Sequence, residues 1–229
     1  MAVMIQSWCD LTFLHWRYPA EQVQALLPPG LTVETHDGAA WIGLVPFRME
    51  GVRLPGAPAL PWLSRFPETN VRTYVRGPDG LSGIWFFSLD AARLPAVSVG
   101  RAAYGLPYFW SSMAVEVVGP RMVYRGRRRW PGQAGARCDV SVRVGDELAE
   151  GDLRPLDHFL TARFRLYSRL AGRMVAAKAD HPPWPLRRAE AEHVDQDVVQ
   201  AAGLPAPDHD PLVLASAGVT VQIGMWRPV

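Results

Sequence analysis

Lysine is almost absent from this chain. Of its 24 basic residues only Lys178 is a lysine, which leaves 23 arginines. An arginine cannot form a Schiff base, so imine chemistry would have to run through Lys178. Cysteine is equally sparse: Cys9 and Cys138 stand far apart without ligand-type spacing, which supports neither a disulfide framework nor a zinc site and fits a reducing compartment. Long apolar runs are missing too, since AAWIGLVPF at 39–47 is far shorter than the ~20 residues that cross a bilayer as a helix. The opening MAVMIQSWCD has no positive region and meets Asp10 before an apolar core develops, so no signal peptide is expected and the protein is placed in the cytoplasm. A formal net charge of +2 provides no general field for nucleic acid or an anionic membrane, and neither is expected as a partner. No GxSxG elbow, phosphate-binding P-loop, GxGxxG fingerprint or HExxH pair occurs, and the six histidines are scattered, so hydrolase, nucleotide and metal readings lack support.

What the chain has in excess is punctuation. Its 20 glycines and 21 prolines are spread along its length, which favours many short strands over long helices. At 229 residues one domain covering 1–229 is expected. CDLTFLHW at 9–16 alternates as a strand with Cys9, Leu11, Phe13 and His15 on one face, and PAEQVQALLPPG at 19–30 reads as a short helix stopped by Pro28 and Pro29. LTVET, the HDG turn at 36–38 and AAWIGLVPFRM form a strand pair, and the proline-rich stretch 51–67 is a long loop. ETNVRTYVR, the GPDG turn at 77–80 and SGIWFFSLD make the clearest hairpin. Further strands are expected near 112–118, 121–129, 137–144, 163–168, 173–178 and 219–226, with helices near 155–162 and 194–202. Such spacing predicts a large, mainly antiparallel sheet curled into a barrel.

Period two in the strand after Pro67 places Glu68, Asn70, Arg72 and Tyr74 on one face. In an open sandwich that face would meet water; in a barrel wide enough for a ligand it would line the cavity. The partner strand alternates Ile84, Phe86, Ser88 and Asp90 with Trp85, Phe87 and Leu89, largely apolar on both faces, which favours burial of its neighbour's polar face. RGRRR at 125–129 reads as a solvated edge strand, and PDHDP at 207–211 as a surface turn.

Read together, LTFLHWRYPAEQVQALLPPGLTV, AAWIGLVPF, FPETNVRTYV, GIWFFSLDA, GRAAYGLPYF and HPPWPL resemble the YqjF-like bacterial family of unknown function. That family is similar to the acetoacetate-decarboxylase-like superfamily, and the resemblance implies a mainly β (α+β) fold, a conical antiparallel β-barrel with a few short helices around an enclosed pocket. In the decarboxylases the counterpart of GRAAYGLPYF runs Gly-Arg, a spacer, then Pro-Lys-Lys, the first lysine forming the imine. Here Gly100, Arg101 and Pro107 match, but Tyr108 and Phe109 replace both lysines, so Schiff-base decarboxylation is not expected. Lys178, in a different segment, reads as an ordinary exposed amine.

These readings make Glu68 and Tyr108 the catalytic candidates and Arg72, Arg101, Asn70, Tyr74 and Phe109 the substrate-binding ones. The expected function is acid/base chemistry without an imine on a small keto or carboxylate compound: enolisation, dehydration, cyclisation or a lyase step. No cofactor and no metal are called for, a small-molecule ligand is the expected partner, and a homo-oligomer is left open. The alternative is a non-catalytic small-molecule binding protein on the same barrel, for which an apolar cavity with a few polar anchors suffices.

Overall fold

The structure is a computed structural model describing residues 2–229. In chain order it comprises β1 (Ala2–Tyr18), α1 (Ala20–Gln24), β2 (Thr32–Val33), β3 (Ala40–Arg53), β4 (Phe66–Arg76), β5 (Ser82–Ala91), α2 (Leu94–Tyr104), β6 (Tyr108–Val118), β7 (Arg121–Trp130), β8 (Arg137–Glu147), α3 (Pro155–Thr161), β9 (Arg165–Leu170), β10 (Arg173–Asp180), β11 (Leu186–Gln196), α4 (Val198–Ala201), β12 (Leu212–Gly224) and β13 (Arg227–Pro228). The fold is mainly β with few, short helices, as the sequence predicts.

All strands join one sheet, in the order β13-β10-β9-β5-β6-β7-β8-β11-β12-β1-β3-β4-β2, and the sheet returns on itself through β4–β5 and β10–β12 pairings. Two strands divide an edge between two neighbours. β5 pairs with β9 through Ile84 and Trp85 and with β6 through Leu89 to Ala91, both in parallel, while β4 takes its other edge. β12 meets β11 near Ser216 and β10 near Gln222 while β1 runs along its full length. The shared strands β12, β1, β3, β4 and β5 are therefore closed twice, once through β9 and β10 and once through β6, β7, β8 and β11.

Each shared strand consequently buries both faces, one in each of two apolar cores. Leu11, Phe13, Val45, Phe47 and Tyr74 belong to the first core, and Leu14, Trp16, Ile42, Leu44 and Val71 to the second. Alternation alone does not give this division, because two bulges shift it. Asp10 adopts a positive φ of 47°, and five steps on β1 from Cys9 to Leu14 oppose four on β3. The cavity face of β1 is thus Met4, Gln6 and Trp8 before the bulge and Leu11 after it, and Cys9 does not share the face of Leu11 as strict period two would have it. On β5 the register slips by one between Phe86 and Ser88, so Ile84 and Phe86 are followed by Leu89 on the cavity side.

Three expectations are corrected. β7 carries RGRRR but is no edge: it lies between β6 and β8, with Arg127 and Arg129 exposed and Arg128 buried against Asp90. The helix near 194–202 shrinks to α4, because Leu186–Gln196 is drawn into strand β11 by pairing with β8 and β12. The 51–67 loop is shorter, since β3 continues to Arg53 and β4 begins at Phe66. Helix α2 occupies a segment to which periodicity assigned nothing; it supplies the crossover that the parallel β5–β6 pair requires.

Candidate functional site

The first core is not filled. It holds a cavity of about 150 Å³, lined by β1, β3, β4, β5, α2 and the start of β6, and by Trp184 and Trp226 among others. A space of that order accepts a molecule of about the size of benzene. Its lining is chiefly aliphatic and aromatic, with a few polar groups set into one side.

Three of those groups, Glu68, Asn70 and Arg72, come from one strand, β4. Phe66, Glu68, Asn70 and Arg72 line the cavity in strict alternation, while Val71 between them faces the second core. Glu68 is only 2% exposed, and burial pushes its carboxyl up to about 8, with the hydrogen bond from Tyr108 acting against the shift and the Asp90 charge adding to it. The Tyr108 hydroxyl donates to Glu68 Oε2 at 3.1 Å, and burial together with that carboxylate holds the phenol well above its ordinary value. At neutral pH both groups therefore keep their protons. Asn70 Oδ1 is buried with no hydrogen-bond partner among the described residues.

Arg72 is buried, and among the described residues no carboxylate answers its charge. Its Nη2 donates to the Leu160 carbonyl at 3.2 Å and lies 3.5 Å from the Tyr74 hydroxyl, its face covers the Phe13 ring at 5.3 Å, and Nε has no partner. Tyr74 lies behind it, outside the lining, donating to the Leu160 carbonyl at 2.8 Å. Because that bond takes the phenol proton, the 2.6 Å contact with His15 Nε2 assigns the N–H to Nε2 of histidine. His15 is neutral, held well below its usual range by burial and then by the Arg72 charge. The second arginine of the lining, Arg163, differs: Glu34 accepts from its Nη1 at 2.6 Å.

Glu68, Asn70, Arg72 and Tyr108 thus meet at one cavity, and Tyr74 supports Arg72 from behind. Arg101 and Phe109 do not join them. Arg101 is exposed and donates from Nη1 to the Tyr108 carbonyl at 2.7 Å, since the turn of α2 that brings Gly100 to the cavity directs the next residue away. Phe109 follows Tyr108 on a strand and faces the other side, where the Arg128 guanidinium lies 3.7 Å from its ring centroid. Lys178 is largely exposed, 3.1 Å from the Asp180 carboxylate, and is no part of the lining. Tyr104, expected among the cavity rings, is part of the wall, and residues to which the sequence gave no role complete it: Trp8, Arg163, His181, Trp184 and Trp226. Of these, His181 and Trp184 sit in the HPPWPL segment, whose unusual composition was the available signal. Among the described residues no group of three or more histidine, cysteine or acidic side chains is arranged to hold a metal ion, and no helix is long and apolar enough to cross a membrane.

Comparison with known proteins agrees with this architecture. A family described as an uncharacterized conserved protein, DUF2071, matches residues 5–220. The chain belongs to this family. A relative, the uncharacterized protein YqjF of Bacillus subtilis, is 36% identical over 211 residues, spanning 92% of this chain and 86% of that one. Among solved structures the enduracididine biosynthesis enzyme MppR complexed with pyruvate superposes with a TM-score of 0.70 at 15% identity, over 100% of this chain and 91% of the other. An acetoacetate decarboxylase-like enzyme from Sphingomonas wittichii RW1 gives 0.70 at 14% identity, over 100% and 93%. The fold of this DUF2071 member is accordingly that of acetoacetate-decarboxylase-like enzymes, and at such identities the likeness speaks for the fold alone.

Proposed function

We propose that the protein is a small-molecule enzyme that performs acid/base chemistry without an imine on a keto or carboxylate compound enclosed in the cavity. The observation that carries this reading is the buried Glu68 carboxyl, hydrogen-bonded by Tyr108 at the wall of a cavity that also takes in the unanswered charge of Arg72. A carboxyl that titrates near 8 donates a proton to a carbonyl oxygen at neutral pH and, once ionised, removes one from the adjacent carbon. Tyr108, which keeps its proton, stabilises the developing enolate oxygen by donating to it. Arg72 holds a carboxylate of the ligand, and the charge it lacks within the protein arrives with that ligand. Enolisation, dehydration, cyclisation and lyase steps share this need for a proton moved next to a carbonyl.

Exchange of α-hydrogens for deuterium, followed by proton NMR over a panel of small 2-oxo and 3-oxo acids and their ketones in D2O, tests it. Enzyme-dependent exchange on at least one compound, abolished in Glu68→Gln at unchanged thermal stability, is the expected result; undiminished exchange in that variant removes Glu68 from the mechanism. The chiefly apolar lining favours a second reading, a binding protein. It is distinguished by ligands that raise the melting temperature of both proteins while neither catalyses exchange.

A further inference from the structure

We infer that Gly100 and Arg101 of helix α2 are positioning residues that hold Tyr108 against Glu68. The inference rests on the reading of Glu68 and Tyr108 as the reacting pair and gives the Gly-Arg element of GRAAYGLPYF a physical task.

Gly100 stands inside the helix, where glycine costs about 1 kcal/mol relative to alanine. Its φ is not among the positive values of the chain, so backbone freedom does not explain it. Space does. A Cβ at this position would run into Cδ2 of the Tyr108 ring and lie 2.6 Å from Cε2, closer than real contacts come. The ring rests directly on the Gly100 backbone, and only a hydrogen at that Cα lets the hydroxyl lie 3.1 Å from Glu68 Oε2.

Arg101 fixes the other end of the same residue. From outside the cavity its Nη1 donates to the Tyr108 carbonyl at 2.7 Å. The intervening turn is also tied down: Gly105 is left-handed at φ 62°, Leu106 N–H donates to the Gly100 carbonyl at 3.2 Å, and Leu89 N–H donates to the Pro107 carbonyl at 3.0 Å. Tyr108 is thereby held by its ring, its carbonyl and the strand it enters, and the helix sets its reach toward β4. The residue beyond, Phe109, packs under Arg128 on the opposite face of β6.

The test follows titration of the Glu68 carboxyl by infrared difference spectroscopy against Glu68→Gln, in protein without ligand, so its outcome does not depend on whether turnover is found. Tyr108→Phe removes a bond that favours the ionised carboxylate, and the midpoint should rise by roughly half to one pH unit. Gly100→Ala should produce the same rise in the wild-type background and no further rise in Tyr108→Phe. Arg101→Gln, a surface change, should move it in the same direction by less, and Ser98→Ala on the exposed side of α2 should not move it. Should Gly100→Ala fail to fold, Arg101→Gln decides. A Tyr108→Phe shift that neither Gly100→Ala nor Arg101→Gln reproduces, an additional rise from Gly100→Ala in Tyr108→Phe, or no shift in Tyr108→Phe itself would each overturn the assignment.

Discussion

Two carboxylates lie side by side on neighbouring strands and lead opposite lives. In the β4–β5 register Glu68 pairs with Ala91 and Thr69 with Asp90, so Glu68 and Asp90 are one step apart on opposite faces of the sheet. Both are buried. Asp90, on the side of the second core, is gripped by Arg128 through Nε at 2.9 Å and Nη2 at 2.7 Å and accepts a 2.6 Å bond from Ser111. Glu68, on the side of the cavity, receives only the Tyr108 hydroxyl among the described residues. The arginines repeat the contrast among the described residues: Arg128 has a carboxylate and Arg72 has none. A buried ion that is paired and fully bonded serves the fold, whereas one left without its counter-charge is a cost the fold alone does not explain.

The largest expected consequence is a pH dependence that belongs to Glu68. Its carboxyl titrates near 8 in the folded protein against 4.5 ordinarily, so the folded state holds the proton more tightly. Below about pH 4.5 both states are protonated and no penalty exists; between 4.5 and 8 the unfolded chain releases the proton and stability falls; above 8 the loss is complete. The shift corresponds to on the order of 5 kcal/mol, and Glu68→Gln should remove that fall from urea denaturation curves taken across this window. Next in size is Arg128→Met, which strands Asp90 and should cost about 3–5 kcal/mol in the same assay. Arg72→Met should stay within about 1 kcal/mol of wild type, because it removes a charge with no partner, while abolishing stabilisation by carboxylate ligands in a thermal-shift screen. Smallest is Lys178→Ala, expected within about 0.5 kcal/mol, with no borohydride-trapped adduct on keto acids in either protein. An adduct at Lys178 would bring the imine route back.

Much of the cavity side was legible beforehand. The β4 face shows in plain alternation because no bulge interrupts it between Phe66 and Arg72, and the GPDG turn marks its partner, with Gly80 N–H bonded to the Gly77 carbonyl at 2.9 Å. Tyr108 stood out through the frame shared with a catalytic segment. What escaped notice depends on tertiary structure. The bulges at Asp10 and at Phe87 reverse facing in mid-strand with no compositional warning. In α2, Val97, Val99 and Gly100 speak against a helix, although Pro95 at its start and Gly105 at its end mark one. In β11 the residues AEAEH favour helix and are overruled by pairing with β8. Arg128 looks like its neighbours in RGRRR, and only the position of β7 between two strands buries it.

The contrast between the two acidic side chains is tested most directly by replacing one at a time with the isosteric amide, measuring unfolding free energy in urea at pH 6 for Glu68→Gln and Asp90→Asn. A loss of about 3–5 kcal/mol is expected for Asp90→Asn, which leaves Arg128 buried and alone, whereas Glu68→Gln should gain about 2 kcal/mol at pH 6, because it removes the part of the pH-dependent loss that lies between 4.5 and 6. Equal losses at the two positions would contradict the account, since they would mean that Glu68 is as much a part of the framework as Asp90.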